Sequence, residues 1–383
     1  MSRLRTLACA VMAISAALSR TAASDVVCSE QGAFRINTLT RGLTFPWSLA
    51  FLPDGSGLIT ERPGRLRLWA HGQLDPKAID GVPAVTNLFD VAVDPEFAQT
   101  SAIYLAYSSA ANGQRLEVLR GRLREHRIEN SQIIFRGVPK LPQMTFSGGR
   151  LLFAPDRTLL ITVADSDEPL SQAQDRRANL GTVVRIHRDG SIPRDNPLVG
   201  RPGIRHEVYT YGHRNIQGIA LEPRTQDTWI AEHGPKGGDE LNLLRKGTNY
   251  GWPEETYGVP HFQRAARPEL IQPRGTPPLK TWTPALAPSG LVFYEGSRFP
   301  LWNGNLFIGS LAQKHLRRIE IVDRQVTHEE ALLTELGERI RDVRVGPDEY
   351  VYVLTDSLNG AVIRLEPVAH SERTCQVNQR PPQ

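Results

Sequence analysis

The residues best suited to chemistry crowd into one stretch, Gly212 to Trp252. There His213, Arg214 and Asn215 stand in a turn, Gly234 and Pro235 lie in a Gly/Pro-rich loop, and Asp239 and Glu240 form an acidic pair. A guanidinium fixed beside a carboxamide can hold a carboxylate or a quinone oxygen. Unhindered main-chain carbonyls close to carboxylates are the oxygen donors that calcium takes. The pattern suits an anionic ligand beside a divalent cation; the plainer alternative is a turn followed by a solvated loop. A second cluster, Arg339-Ile340-Arg341-Asp342, spaces two arginines at alternate positions. On a strand that spacing puts both on one face, as a two-pronged carboxylate clamp or as solvated arginines at a sheet edge. No HExxH, GxxxxGK[ST] or GxGxxG run occurs, which removes support for a zinc peptidase, a phosphate-loop enzyme or a nicotinamide enzyme.

The elements that must position these residues are short strands. A unit in which a Pro/Asp/Gly turn precedes an apolar or alternating run recurs six times, at 51–61, 93–108, 153–165, 221–233, 293–310 and 345–356. Runs of about five β-favouring residues bounded by turns, with few long helical patterns, predict an all-β, six-bladed β-propeller with one such hairpin per blade. A pair of β-sandwiches would need a linker, and no composition break supplies one. The Pro-rich segment 259–284 reads as an insertion loop on one face, where propellers carry binding residues.

The chain has 383 residues, 40% hydrophobic and 22% charged, an ordinary globular composition. Its formal charge of +4 includes Arg3, Arg5 and Arg20, which lie in a leader; without them about +1 remains, too little for a nucleic-acid partner. Residues 1–23 combine those arginines with an apolar run, Leu7 to Leu18, and small residues at Thr21 to Ala23, the signature of a cleaved secretory signal peptide. The mature chain, 24–383, is expected to be one propeller domain, periplasmic or secreted, without a membrane span. Of three cysteines Cys9 leaves with the leader. Cys28 and Cys375 then remain near opposite ends, where a disulfide and two free thiols are equally compatible with the sequence.

The runs GHRNIQGIA, EHGPKGGDELN and NYGWP resemble, in order and within one segment, the soluble PQQ-dependent aldose sugar dehydrogenases of the glucose/sorbosone dehydrogenase family. The likeness extends from FPWSLAFLPDG at 45–55 to RIRDVRVGPD at 339–348. It implies PQQ and calcium as cofactors, an aldose as substrate and an external electron acceptor, in a monomer or homodimer. It assigns the cofactor to Arg214, Asn215, Arg339, Arg341 and Arg150. It assigns calcium to Gly234 and Pro235 beside the cofactor, and to Glu240 with the Tyr250 carbonyl at a second site.

The resemblance also exposes departures. The histidine that serves the family as base, four residues before Arg150, is here Phe146, and no histidine occurs between His126 and His187. Asp165, which in the family supports that histidine, becomes the candidate proton acceptor, directly or through water. A cofactor-contacting glutamine is replaced by Val85, a hydroxyl residue by Ala285 and a polar residue near the cofactor by Ala312. Two functions follow: oxidation of aldoses at the anomeric carbon to lactones, or a non-catalytic propeller that binds a sugar or a partner.

Overall fold

The computed structural model describes residues 26–109, 113–143, 148–166, 171–259 and 275–368. Six antiparallel sheets follow one another along the chain. Blade one comprises Pro46–Phe51, Gly57–Glu61, Arg65–Ala70 and Gln73–Ala78. Blade two comprises Val85–Val93, Ala102–Ser109, Leu116–Arg124 and Arg127–Arg136. Blade three comprises Gly148–Phe153, Leu159–Val163, Thr182–Ile186 and Val208–Tyr211. Blade four comprises Ile216–Leu221, Thr228–Glu232, Asp239–Leu243 and Lys280–Trp282, and blade five Pro288–Phe293, Leu306–Ser310, Leu316–Val322 and Gln325–Leu332.

Blade six closes the ring by mixing the two ends of the described chain. Ile340–Val345, Val351–Thr355 and Gly360–Pro367 are completed by Gly32–Leu43, with Val26–Ser29 outermost. The register from Phe34 against Pro367 to Leu43 against Gly360 fastens first strand to last. The six-bladed propeller expected from the repeats is thus the observed fold, each repeat forming the hairpin between a blade's first and second strands. Cys28, in the outermost strand, is disulfide-bonded; Cys375 and residues 1–25 lie outside the described residues.

One expectation needs correcting. The segment 259–284 is not wholly an excursion, because Lys280–Trp282 pairs with Asp239–Leu241 as the fourth strand of blade four. Three residues bounded by prolines give too short a run to read as a strand; burial of the Trp282 side chain helps to hold it.

The inner and second strands are buried on both faces, so they read as near-continuous apolar runs. Each apolar cluster lies between adjacent blades. Leu160 and Val183 of blade three meet Ile219 and Ile230 of blade four, and Phe307 of blade five meets Val343, Val353 and Ile363 of blade six.

Every inner strand carries a register shift near its start: after Pro46, Leu88, Gly148, Ile216, Pro288 and Ile340. A β-bulge leaves one residue unpaired and re-aims its neighbours. The second residue after each shift point is Ser48, Asp90, Arg150, Gly218, Gly290 or Asp342. Where it is glycine, backbone or a neighbour fills the space: a Cβ on Gly218 would stand 2.6 Å from the Ser289 oxygen, and one on Gly290 2.2 Å from Asp342 Oδ1. The remaining four form one buried polar network. Arg150 donates to Asp342 Oδ1 (2.9 Å) and to the carbonyls of Gln217 (2.7 Å) and Arg341 (3.1 Å), and its guanidinium lies 4.0 Å from the centre of the Trp47 ring. Asp342 Oδ2 accepts from Leu49 N and Arg344 Nε, Asp90 Oδ2 accepts from Leu151 N, and Ser48 donates to Asp90 Oδ1.

A buried pair broken on one side leaves an uncompensated charge, which costs about 3–5 kcal/mol, whereas an exposed pair contributes about 0–1 kcal/mol. Urea unfolding should therefore show Arg150→Ala losing several kcal/mol. Arg157→Ala, which removes the exposed pair with Glu96, should change stability little.

Candidate functional site

The bulges collect side chains at one end of the ring. In four blades the residue after the second strand donates its N–H to the residue just before the inner strand: Arg62 to Phe45 (3.0 Å), His233 to Asn215 (3.0 Å), Leu311 to Ala287 (3.1 Å) and Asp356 to Arg339 (2.8 Å). These eight residues form a rim; of the expected site residues Asn215 and Arg339 stand on it, and Arg214 and Gly234 next to it.

In blade four the main chain of Arg214 is fixed from below, its N–H donating to Glu232 Oε2 at 2.9 Å. The other oxygen of Glu232 meets His213 Nδ1 at 3.0 Å, and that imidazole is stacked on Tyr250 with centroids 4.4 Å apart. The Arg214 side chain then reaches the Gly234 carbonyl (2.7 Å) and the His233 carbonyl (3.3 Å) and lies 5.4 Å from the centre of the Trp252 ring. Asn215 turns its carboxamide oxygen to Gln217 Nε2 at 2.9 Å.

Asp165 sits behind this group. Its carboxylate accepts from Trp252 Nε1 (2.9 Å), Gln172 N (2.9 Å) and the Ser171 hydroxyl. It orients Trp252 against Arg214. Burial raises the Asp165 pKa despite those donors, which makes it a better proton acceptor than an ordinary aspartate.

In blade six Arg339 and Arg341 converge, as the alternate spacing predicts, on a partner that sequence reasoning missed. Asp356 Oδ2 accepts from Arg341 at 2.9 Å and Arg339 at 3.1 Å. Burial works against ionisation of Asp356, yet the guanidiniums of Arg341 and Arg339 hold its pKa below the ordinary value. Arg339 also donates to the Leu311 carbonyl at 3.2 Å, while the buried Nε of Arg341 has no hydrogen-bond partner among the described residues. Such an orphaned buried donor is the kind of group an anionic ligand satisfies.

His233 was also passed over as a site residue. Its Nε2 lies 2.7 Å from the Pro288 carbonyl and so carries the proton, linking blade four to blade five. Burial lowers its pKa, the nearby carboxylate of Asp239 works the other way, and Arg341 and Arg214 lower it further, so one neutral imidazole sits within reach of both arginine groups. Superposing the ends of the second strands, at Arg62, His233, Leu311 and Asp356, would have picked out both His233 and Asp356. Trp252 carried the signal of the NYGWP run.

Arg150 is buried beneath the rim, donating to Asp342 and to the carbonyls of Gln217 and Arg341. Gly234 has its N–H held by Asp239 (2.9 Å), and its carbonyl already accepts from Arg214. Glu240 lines a small enclosed cavity with Glu232, Glu255, Tyr250 and Gly238. Burial, then Glu232, Asp239 and Glu255, push its carboxyl up to about 8. Clustered buried carboxylates suit an oxygen-seeking cation. Among the described residues, however, no set of three or more His, Cys, Asp or Glu is arranged to hold a metal ion. Phe146 lies outside the described residues, as does the rest of 144–147.

A family model described as Glucose / Sorbosone dehydrogenase matches residues 43–364. The chain belongs to the glucose/sorbosone dehydrogenase family. An aldose sugar dehydrogenase of Escherichia coli is 39% identical over 346 residues, 87% of this chain and 92% of its own. A quinoprotein glucose dehydrogenase B of Acinetobacter calcoaceticus is 26% identical over 415 residues, 85% and 86% of the two chains. Among solved structures, the apo form of the E. coli soluble aldose sugar dehydrogenase matches with a TM-score of 0.82 at 39% identity, covering 88% of this chain and 100% of that one. The PQQ-bound aldose sugar dehydrogenase of Streptomyces coelicolor matches with a TM-score of 0.72 at 26% identity, over 87% and 98% of the two chains. The chain is thus a sugar-dehydrogenase-type propeller of an oxidoreductase family.

The Asp356 clamp has a pH signature. Because the folded-state pKa is depressed, the stability it adds is present above the ordinary value of 3.8 and is lost as pH falls through the lower folded value. Asp356→Asn should lower stability at pH 6, and the gap from the unsubstituted protein should close on acidification below about 3.8, measured by denaturant unfolding across pH.

Proposed function

We propose that this chain is an exported, calcium-dependent PQQ enzyme that oxidises aldoses at the anomeric carbon to lactones. The observation that carries the reading is the rim itself: Arg214 with Asn215 from blade four, and Arg339 with Arg341 from blade six, brought to one end of the ring with His233 between them. Several cations and a planar wall are what a flat polycarboxylate quinone requires, and Trp252 supplies the wall. Export rests on residues 1–23. Among the described residues no helix is long and apolar enough to cross a membrane.

In this reading Arg214, Arg339 and Arg341 bind the carboxylates, and the Nε of Arg341, unpartnered among the described residues, completes its donor set. Calcium is held by oxygen donors: the carbonyls of Gly234 and Pro235 beside the cofactor, and Glu240 with the Tyr250 carbonyl at the second position. When bound, the quinone accepts the hydride leaving the anomeric carbon. Loss of the hydroxyl proton together with that hydride converts the hemiacetal to a lactone. We assign the proton to Asp165, received through the Ser171 hydroxyl, because position 146 is phenylalanine and offers no base. An external acceptor would take up the electrons.

A second reading, a propeller that binds a sugar or a partner without turnover, is favoured by one observation: the Asp165 carboxylate already accepts from Trp252, Gln172 and Ser171. Reconstitution separates the two. Protein loaded with PQQ and calcium should develop bound-quinone absorbance and reduce an artificial dye when glucose or another aldose is added. Binding without dye reduction supports the second reading, and absence of both removes the first. Arg214→Ala should weaken PQQ binding by about tenfold or more, the loss expected for a charge-assisted hydrogen bond. Asp165→Asn should abolish dye reduction, and unchanged sugar oxidation would remove its assigned role.

A further inference from the structure

The arginines at the head of blade six are balanced by a carboxylate. On the blade next to them one guanidinium is not. Arg62 follows the second strand of blade one, at the place held by His233 in blade four and Asp356 in blade six, and its N–H is the one donated to Phe45. Its side chain lies flat on the Phe45 ring, 4.5 Å from the centroid. Among the described residues it has no ion pair and no side-chain hydrogen bond. The adjacent acid cannot serve it, because Glu61 is committed to Arg65 and Arg67 and accepts from Thr44 N.

The group is held rather than loose. Phe45 has φ of 47°, in the left-handed region that a bulky residue adopts only where its surroundings impose it. Here its N–H donates to the Ser357 carbonyl at 2.8 Å, and the Arg62 carbonyl accepts from Leu88 N at 2.9 Å. Ser357 is next in sequence to Asp356, which clamps Arg339 and Arg341. The turn after Arg62 is pressed against the following blade, where a Cβ on Gly64 would stand 2.9 Å from Val85. A guanidinium stacked on an aromatic ring loses less freedom when it meets a planar anion, and its outward edge remains available.

From this geometry we infer that Arg62, stacked on Phe45, is a further anion-binding group of the mouth, taking a carboxylate or phosphate of the occupant. The inference rests on reading this end of the ring as the ligand mouth. The anion has two possible sources, a carboxylate of the quinone or the acidic group of a uronic acid or sugar phosphate, and the position of blade one beside blade six suits either.

The test uses the full-length apoprotein and direct calorimetric titration with PQQ, glucuronate, glucose 6-phosphate and neutral glucose, for the unsubstituted protein, Arg62→Gln and Arg62→Lys. If the quinone is the source, Arg62→Gln weakens PQQ by about tenfold or more and leaves the sugars as they were. If an acidic sugar is the source, PQQ is unaffected; the unsubstituted protein binds glucuronate or glucose 6-phosphate about tenfold better than glucose, and Arg62→Gln abolishes that preference. In either case Arg62→Lys recovers part of the loss and added salt narrows the difference. Equal affinities of all three proteins for every anion, or no binding of any anion by the unsubstituted protein, overturns the inference. Dye reduction plays no part in these titrations, so the proposed oxidation stands or falls separately.

Discussion

The constraint on which this molecule depends is the extra residue near the start of each inner strand. A regular strand would alternate its side chains between the two neighbouring blades. The bulge breaks that alternation near the mouth, leaving one residue on the rim and sending another into the closed centre of the ring. Repeated six times, the same backbone irregularity brings Phe45, Asn215, Ala287 and Arg339 to one end although they are far apart in sequence. Beneath them it places Ser48, Asp90, Arg150 and Asp342. The rim hydrogen bonds that recur in four blades show that this is one local solution reused.

Two populations of charge result, with different physics. Arg150, Asp90 and Asp342 are removed from water and satisfied by one another, by the half-buried Arg344 and by main-chain groups; they specify how the blades meet. Arg214, Arg339 and Arg341 stand nearer the rim, anchored through carbonyls and Asp356. Asp356 keeps the two blade-six guanidiniums close together, which their mutual repulsion would otherwise oppose. His233, held neutral by burial and by the neighbouring cations, adds no further charge to that group. The carboxyl groups of Glu232, Glu240 and Glu255 line one small cavity with Arg214, His233 and Gly234, so cation-seeking and anion-seeking groups meet at the same loop.

Much of the ring was legible because propeller strands are short, apolar and separated by Pro/Asp/Gly turns, and those turns recur at every blade. The outer strand of blade four was not, since Lys280–Trp282 is too short for periodicity to reveal. Alternation in Arg339-Ile340-Arg341 indicated the clamp but not its acid, because Asp356 lies at the end of a different strand and only the fold brings it near. Arg150 shows the reverse. The bulge directs its side chain to Asp342, and a sequence motif does not encode which way a bulged residue faces. His233, Asp356 and Arg62 share one structural place in their blades, a relation visible only after the second strands are aligned by register.

The central claim is that side chains of blades four and six converge on a single polyanionic ring system. Its most direct test is a crystal structure of the protein grown or soaked with PQQ and calcium. The account predicts the quinone between Arg214 and Arg341, its carboxylates on those guanidiniums and its ring beside Trp252. Quinone bound on another face of the propeller, or a mouth that excludes it at saturating concentration, would contradict the account.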